Sequence, residues 1–267
     1  MAPVVLSPHL DDAVLSCWHL LDRREPATVV NVFTALPPAS TPVAWWDRLT
    51  GATDSAARML ERQAEDAEAR AQTGVRARAL GLLDHQYRSG APPRADVLAA
   101  IAGAVAPGAR LVAPAAMDGH ADHVLVRDAA LALAADGHAL ALYADLPHAV
   151  GRGWPAWVTG PAEEPGADVD AAWERALRRA GLVVERLVPH VRPLDAAARA
   201  RKLAVLGAYR TQRPALDAMA FAPLDDPRTL AFEVTWDVPP SARGGPDEPG
   251  GEALVADARR DPRNDRV

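Results

Sequence analysis

Two short clusters of imidazole and carboxylate groups carry the reactive chemistry of this 267-residue chain. The first is Ser7-Pro8-His9-Leu10-Asp11-Asp12; the second is Asp118-Gly119-His120-Ala121-Asp122-His123. His and Asp side chains are good ligands for zinc and similar divalent cations. Three such groups in the first turn can supply two ligands and leave one carboxylate free to move a proton. If the two clusters meet, His9, Asp12 and His123 offer two imidazoles and one carboxylate with a position open to water. That is the pattern of a catalytic zinc site; a structural site is closed by four protein ligands. Simpler roles compete: Asp11 or Asp12 could cap a following helix, and His9 could be a hydrogen-bonded loop residue. Two clusters at equivalent places, each between an apolar run and a helix, weigh against coincidence.

The elements that must position these groups can be read from periodicity. Val4, Val5 and Leu6 form a short apolar run that reads as a buried strand, and residues 12–24 read as the first helix. A strand over 28–34 follows. Next come a charged helix over 54–73 stopped by Gly74, a strand over 79–83 and an amphipathic helix over 92–105. A strand over 110–114, a helix over 124–135 and a strand over 139–143 continue the alternation. This predicts an α/β, Rossmann-like fold: a mainly parallel sheet with helices on both faces. Sites in such sheets form at the carboxyl ends of the strands. Both clusters lie there if their strands are central and parallel.

Residues 151–172 read as a Pro- and Gly-rich loop. Strands over 182–188 and 229–238, with a helix over 195–209, read as a small C-terminal peripheral sheet. Residues 1–240 are read as one α/β domain and 241–267, with little to bury, as a disordered tail. The long irregular segment 36–53 is of the kind that often carries function. In it Trp45 and Trp46 either stack on a sugar or pack the loop onto the body.

A net charge of -6 argues against a non-specific nucleic-acid binder, which needs a basic face. Cys17 is the only cysteine, so an internal disulfide and a Cys-based zinc site are excluded. No run reaches about 18 apolar residues, so no membrane span is expected. The N-terminus has no basic region or signal-type apolar core, and the expected location is cytoplasmic. A dinucleotide-binding protein is disfavoured: the first turn has no Gly-x-Gly-x-x-Gly, and its two aspartates would repel a pyrophosphate.

Ser7-Pro8-His9-Leu10-Asp11-Asp12 paired with Gly119-His120-Ala121-Asp122-His123 resembles the PIG-L/LmbE family of zinc-dependent N-acetylglucosamine deacetylases. Its first motif has the form Pro/Ala-His-x-Asp-Asp and its second His-x-Asp-His. Softer matches are Trp46-Asp47, Arg62-x-x-Glu65-Asp66, and Lys202 through Tyr209-x-x-Gln212, so the resemblance spans about residues 3–213. It implies a metal, Zn2+ or another divalent ion, held by His9, Asp12 and His123. It makes Asp11 the general base, His120 the general acid and oxyanion stabiliser, and Asp122 the group that orients His120. Arg62 matches a family arginine near the substrate, and Trp46, Asp47 and Arg88 are further expected substrate contacts. The implied reaction removes acetyl from an N-acetylglucosamine-type amino sugar on a small conjugate. Zinc lowers the pKa of bound water to about 7 and polarises the carbonyl. Asp11 would take the water's proton, and a protonated His120 would meet the oxyanion and protonate the leaving amine.

The chain also departs from the family pattern. Ala13 stands where many members have Glu, and Trp18 and His19 stand where glycines are common. The tyrosine that assists the oxyanion in some members has no counterpart, since Met117 and Asp118 precede Gly119. His19, His85, His138 and His190 read as packing, loop or surface groups, and His148 lies on the same side of the sheet as the motifs. Two other readings remain: a zinc amidase acting on a different N-acyl group of a glycoconjugate or antibiotic sugar, and a non-catalytic metal- or carbohydrate-binding relative. The presence of both Asp11 and His120 argues against the latter.

Overall fold

The computed structural model describes residues 2–23, 25, 27–90, 94–151, 153–160, 168–219 and 223–240. The apolar runs become inner strands because both faces of the sheet are covered. β1 (Val4–Ser7), β2 (Thr28–Phe33), β4 (Leu111–Pro114) and β5 (Leu140–Tyr143) are buried almost throughout, and β3 (Ala77–Leu82) pairs at their edge. These five strands are parallel. β6 (Val188–Pro193) and β7 (Phe232–Asp237) are antiparallel, and the full order is β3-β2-β1-β4-β5-β7-β6. From β1 the chain builds outward through β2 and β3, then returns to the other side of β1 for β4 and β5. The reversal between β1 and β4 is the switch point where open α/β sheets form their sites.

The helices are α1 (Asp12–Ser16), α2 (Trp18–Leu21), α3 (Trp45–Leu49), α4 (Ser55–Thr73) and α5 (Arg94–Ala102), then α6 (Ala121–Ala135), α7 (Ala156–Thr159), α8 (Val169–Arg179), α9 (Ala196–Leu206) and α10 (Arg213–Met219). α4 has the limits its sequence suggests. The Asp54 side chain accepts from Ala57 N at 2.6 Å, and Gly74 ends the helix at φ +67°, a conformation that favours glycine. One continuous apolar cluster, including Leu6, Leu15, Phe33, Ile101, Leu142 and Trp236, fills both faces of the sheet. Truncating a leucine such as Leu142 to alanine would cost about 2–5 kcal/mol.

Several expectations need correction. The single first helix is broken at Cys17, because Glu233 accepts from Trp18 N at 2.7 Å and His19 N at 2.8 Å and starts a new helix there. The two C-terminal strands do not form a separate sheet: β7 pairs with β5, so they lengthen the main one. β6 begins where the expected strand ended, and it contains Pro189 and Pro193, which an edge strand tolerates. The expected loop 151–172 contains α7 and the start of α8. The tail 241–267 lies outside the described residues. Among the described residues no helix is long and apolar enough to cross a membrane.

Candidate active site

β1 ends at Ser7, whose hydroxyl donates to the His9 carbonyl at 2.6 Å and accepts from Ala13 N at 3.0 Å. Ser7 therefore satisfies the start of α1. Asp11 stands at the cap position but makes no capping bond, which leaves its carboxylate for other partners. Asp12 Oδ2 accepts from His9 N at 2.7 Å and closes the turn. After β4 the chain turns through Ala116 at φ +54° and Gly119 at φ +76°. The left-handed conformation costs an alanine about 1–2 kcal/mol; here Asp145 Oδ2 accepts from Met117 N at 3.2 Å and helps hold the turn. His120 then caps α6, its Nδ1 accepting from Asp122 N at 3.3 Å. β1 and β4 are adjacent and parallel, so both turns emerge at one edge of the sheet.

Three donor atoms meet there in a nearly equilateral triangle. His9 Nδ1 lies 3.4 Å from Asp12 Oδ2, Asp12 Oδ2 lies 3.4 Å from His123 Nε2, and His123 Nε2 lies 3.4 Å from His9 Nδ1. A tetrahedral ion with bonds of about 2.1 Å holds its ligand atoms about 3.4 Å apart. The residues therefore fit a zinc-like ion. A second set, His9, His120 and Asp122, also has ligand atoms within 4.8 Å of one another. It fits less well, because both Asp122 oxygens already accept hydrogen bonds from Arg88 and His85 N.

Charge points the same way. Among the described residues, Asp11, Asp12, Asp84, Asp122 and Asp145 are all buried around the triangle, where the guanidinium groups of Arg62 and Arg88 meet Asp84 and Asp122. Burial lowers the His9 pKa, but the charge of Asp84 and hydrogen bonds to Asp12 and Asp122 outweigh it and raise it to about 10. His123 is likewise raised despite burial, by Asp12 and Asp145. A surplus of negative charge that favours imidazolium also favours a divalent cation, which displaces those protons on binding.

The remaining expected site residues divide. Asp11 is buried beside Asp12, and burial first, then the Asp12 charge, raises its pKa. Arg62 donates to Asp84 Oδ2 at 3.4 Å. Asp47 is fully buried and accepts from the Tyr87 hydroxyl at 2.9 Å. Trp46 is half-buried, its indole N–H donating to Gln212 at 2.7 Å. Arg88 is joined to Asp122 and lies over the Phe33 ring at 5.1 Å. Asp122 and His120 have the following surroundings. The Asp122 carboxylate makes no bond to the His120 ring; it faces Arg88, His85 N and His9. A proton on His120 is disfavoured, because burial and then the charges of His9 and His123 lower its pKa to about 3.

Sequence reasoning missed the part played by Asp145, which accepts from His123 Nδ1 at 2.8 Å, and by Asp84, 3.8 Å from His9 Nε2. A signal existed: each of the five parallel strands except β2 is followed within four residues by an aspartate, Asp11, Asp84, Asp118 and Asp145. Of the other histidines, His148 comes within 4.0 Å of Asp118, and His19 bonds Glu233 instead. The softer motif residues bind the site turn to the body: the Tyr209 hydroxyl donates to Leu10 O at 3.2 Å and lies 3.2 Å from Asp66, while Glu65 accepts from Thr211 N at 2.9 Å.

No protein-family model and no curated protein matches the chain. Solved structures do. The A40926 pseudoaglycone deacetylase is 30% identical, with 91% of this chain and 99% of that one covered at a TM-score of 0.63. A triple mutant of a deacetylase of the teicoplanin biosynthetic pathway is 27% identical, with 89% and 97% covered at a TM-score of 0.65. By fold, the chain belongs with these deacetylases. The match runs over nearly the whole length of both relatives.

Proposed function

We propose that this chain is a member of the PIG-L/LmbE family and a metal-dependent N-deacetylase, hydrolysing the acetyl amide of an N-acetylglucosamine-type amino sugar on a small conjugate. The observation that carries the reading is the triangle of donor atoms from His9, Asp12 and His123, each 3.4 Å from the next. Zn2+ suits this donor set; when bound, it supplies a nucleophile at neutral pH and polarises the acetyl carbonyl. Asp11 accepts the proton of the attacking water, and its raised pKa makes it the stronger base for that step. His120 acts as a neutral imidazole. Its Nδ1 accepts from Asp122 N, so the ring proton sits on Nε2 and donates to the oxyanion as it develops, and the proton that Asp11 has taken from the water passes to the leaving amine as the C–N bond breaks. Among the described residues, Arg62 Nε and Asp47 Oδ1 are buried without hydrogen-bond partners.

A second reading keeps the chemistry and changes the substrate to an N-acyl group on an antibiotic sugar. It is favoured by the relatives, which are deacetylases of A40926 pseudoaglycone and of the teicoplanin pathway. On α3, Trp45 and Leu49 are 64% and 54% exposed, an apolar surface for a bulky aglycone. Metal-loaded protein incubated with simple N-acetylglucosaminides and with an acylated antibiotic pseudoaglycone, with free amine measured, separates the two readings. Release from neither, by protein with one bound ion, would overturn both.

A further inference from the structure

Each of the two histidines in the donor triangle has a second ring nitrogen, and a different buried carboxylate faces each one. His9 turns Nδ1 toward the triangle, and its Nε2 lies 3.2 Å from Asp122 Oδ2. His123 does the reverse: Nε2 faces the triangle, and Nδ1 lies 2.8 Å from Asp145 Oδ1. Both carboxylates are themselves fixed. Asp122, fully buried, accepts from Arg88 Nη2 and from His85 N at 2.9 Å. Asp145, 1% exposed, accepts from Met117 N at 3.2 Å. A neutral imidazole carries one N–H, so a carboxylate on one nitrogen leaves the lone pair on the other.

We propose that Asp122 and Asp145 are the positioning residues of the metal centre, holding His9 and His123 in opposite tautomers so that His9 ligates through Nδ1 and His123 through Nε2. This rests on the reading that His9, Asp12 and His123 hold the ion. It gives Asp122 to His9, where the family resemblance implies that it orients His120. It also gives Asp145, on the turn after β5, a share in a site built by β1 and β4. The three strand ends are thereby coupled: β1 supplies the His9 ring, the β4 turn both Asp122 and the His123 ring, and β5 the brace for His123. Carboxylates on the far nitrogen of ligand histidines both orient the ring and raise its basicity, and losing one typically weakens metal binding about ten- to a hundredfold.

The test uses full-length protein stripped of metal and titrated with Zn2+ against a chromophoric chelator, together with 15N-labelled, zinc-loaded protein whose histidine nitrogens are resolved by NMR. The expected spectrum shows the proton of His9 on Nε2 and that of His123 on Nδ1. Asp122→Ala and Asp145→Ala should each lower zinc affinity about ten- to a hundredfold, and Asp145→Asn, which keeps an acceptor oxygen, should recover part of the loss. Either histidine protonated on the opposite nitrogen overturns the proposal, as do alanine variants that bind zinc like the wild type. The wild-type spectrum decides the question even if a variant fails to fold. The underlying ligand reading fails differently, with His9→Ala and His123→Ala binding zinc as tightly as the wild type.

Discussion

Lys202 and Glu233 are both fully buried, and every polar contact they make is answered. Lys202 Nζ donates to Glu233 Oε1 and to Leu15 O, each at 2.7 Å. Glu233 also accepts from Trp18 N, His19 N and His19 Nδ1. One cation meets one anion, and the cluster braces the break between α1 and α2 against β7. The cluster at the ends of β1, β4 and β5 is as deeply buried but is not balanced. Asp11, Asp12, Asp84, Asp122 and Asp145 outnumber Arg62 and Arg88, and His9 and His123 among them are driven toward protonation. A folded chain does not keep uncompensated buried carboxylates without cost. Balance marks the first cluster as structure, and the surplus of carboxylates in the second suits it to holding a cation.

The comparison breaks most sharply in activity. Asp11→Ala should lower kcat about 10²- to 10⁴-fold while bound zinc, counted by atomic absorption, stays at one ion per chain. Equal kcat in wild type and variant would remove Asp11 from the chemistry. At the balanced cluster, Lys202→Met leaves Glu233 charged and unpaired, and urea unfolding should show a loss of about 3–5 kcal/mol. A loss below about 1 kcal/mol would mean that the pair is no strut.

The two clusters should also answer pH and metal separately. Burial raises the Glu233 pKa, but Lys202 and His19 outweigh it and hold it down at about 2. A carboxylate with a depressed pKa adds stability above its ordinary value of 4.5, and that stability is lost as pH falls toward about 2. The loss should be of order 3 kcal/mol, read as the amount by which the fall in stability across that window is smaller in Glu233→Gln than in the wild type. Zinc at a hundred times its Kd should stabilise the wild type by about 2.7 kcal/mol. Asp12→Ala should abolish that gain, whereas Lys202→Met should keep it. If Asp12→Ala gains as much as the wild type, the ion sits elsewhere.

How much of this the sequence disclosed follows from how local each cause is. His9, Asp11 and Asp12 fall in one turn and His120 to His123 in another, so their types and spacing were legible. The switch point that joins the turns followed from the βα alternation. Gly74 ended α4 for a reason contained in its own backbone. Glu233 acts on Trp18 and His19 from the far end of the chain, so the break at Cys17 had no local signal such as Gly or Pro. Asp145 is one acid among many until β5 places it against His123. The contact of Asp122 with Arg88 had no local signal for the same reason: Arg88 comes from the turn after β3.

The smallest expected effect tests the border between site and surface. Trp45 is 64% exposed, and its ring is tilted 52° against Trp46 at 6.1 Å. Trp46 is anchored through Gln212, and Asp47 of the same helix is buried against Tyr87. α3 is therefore fixed from below, and Trp45 adds little to holding it. Trp45→Ala should change stability by no more than about 0.5 kcal/mol. If a bulky aglycone rests on that ring, the same change removes about 0.5–1.5 kcal/mol of aromatic contact. KM for an acylated antibiotic pseudoaglycone then rises about two- to tenfold, while KM for a simple N-acetylglucosaminide stays put. An equal rise for both would mean that the substitution disturbs the sugar pocket. No rise for either would leave the exposed indole without a part in substrate choice and return the reading to small conjugates.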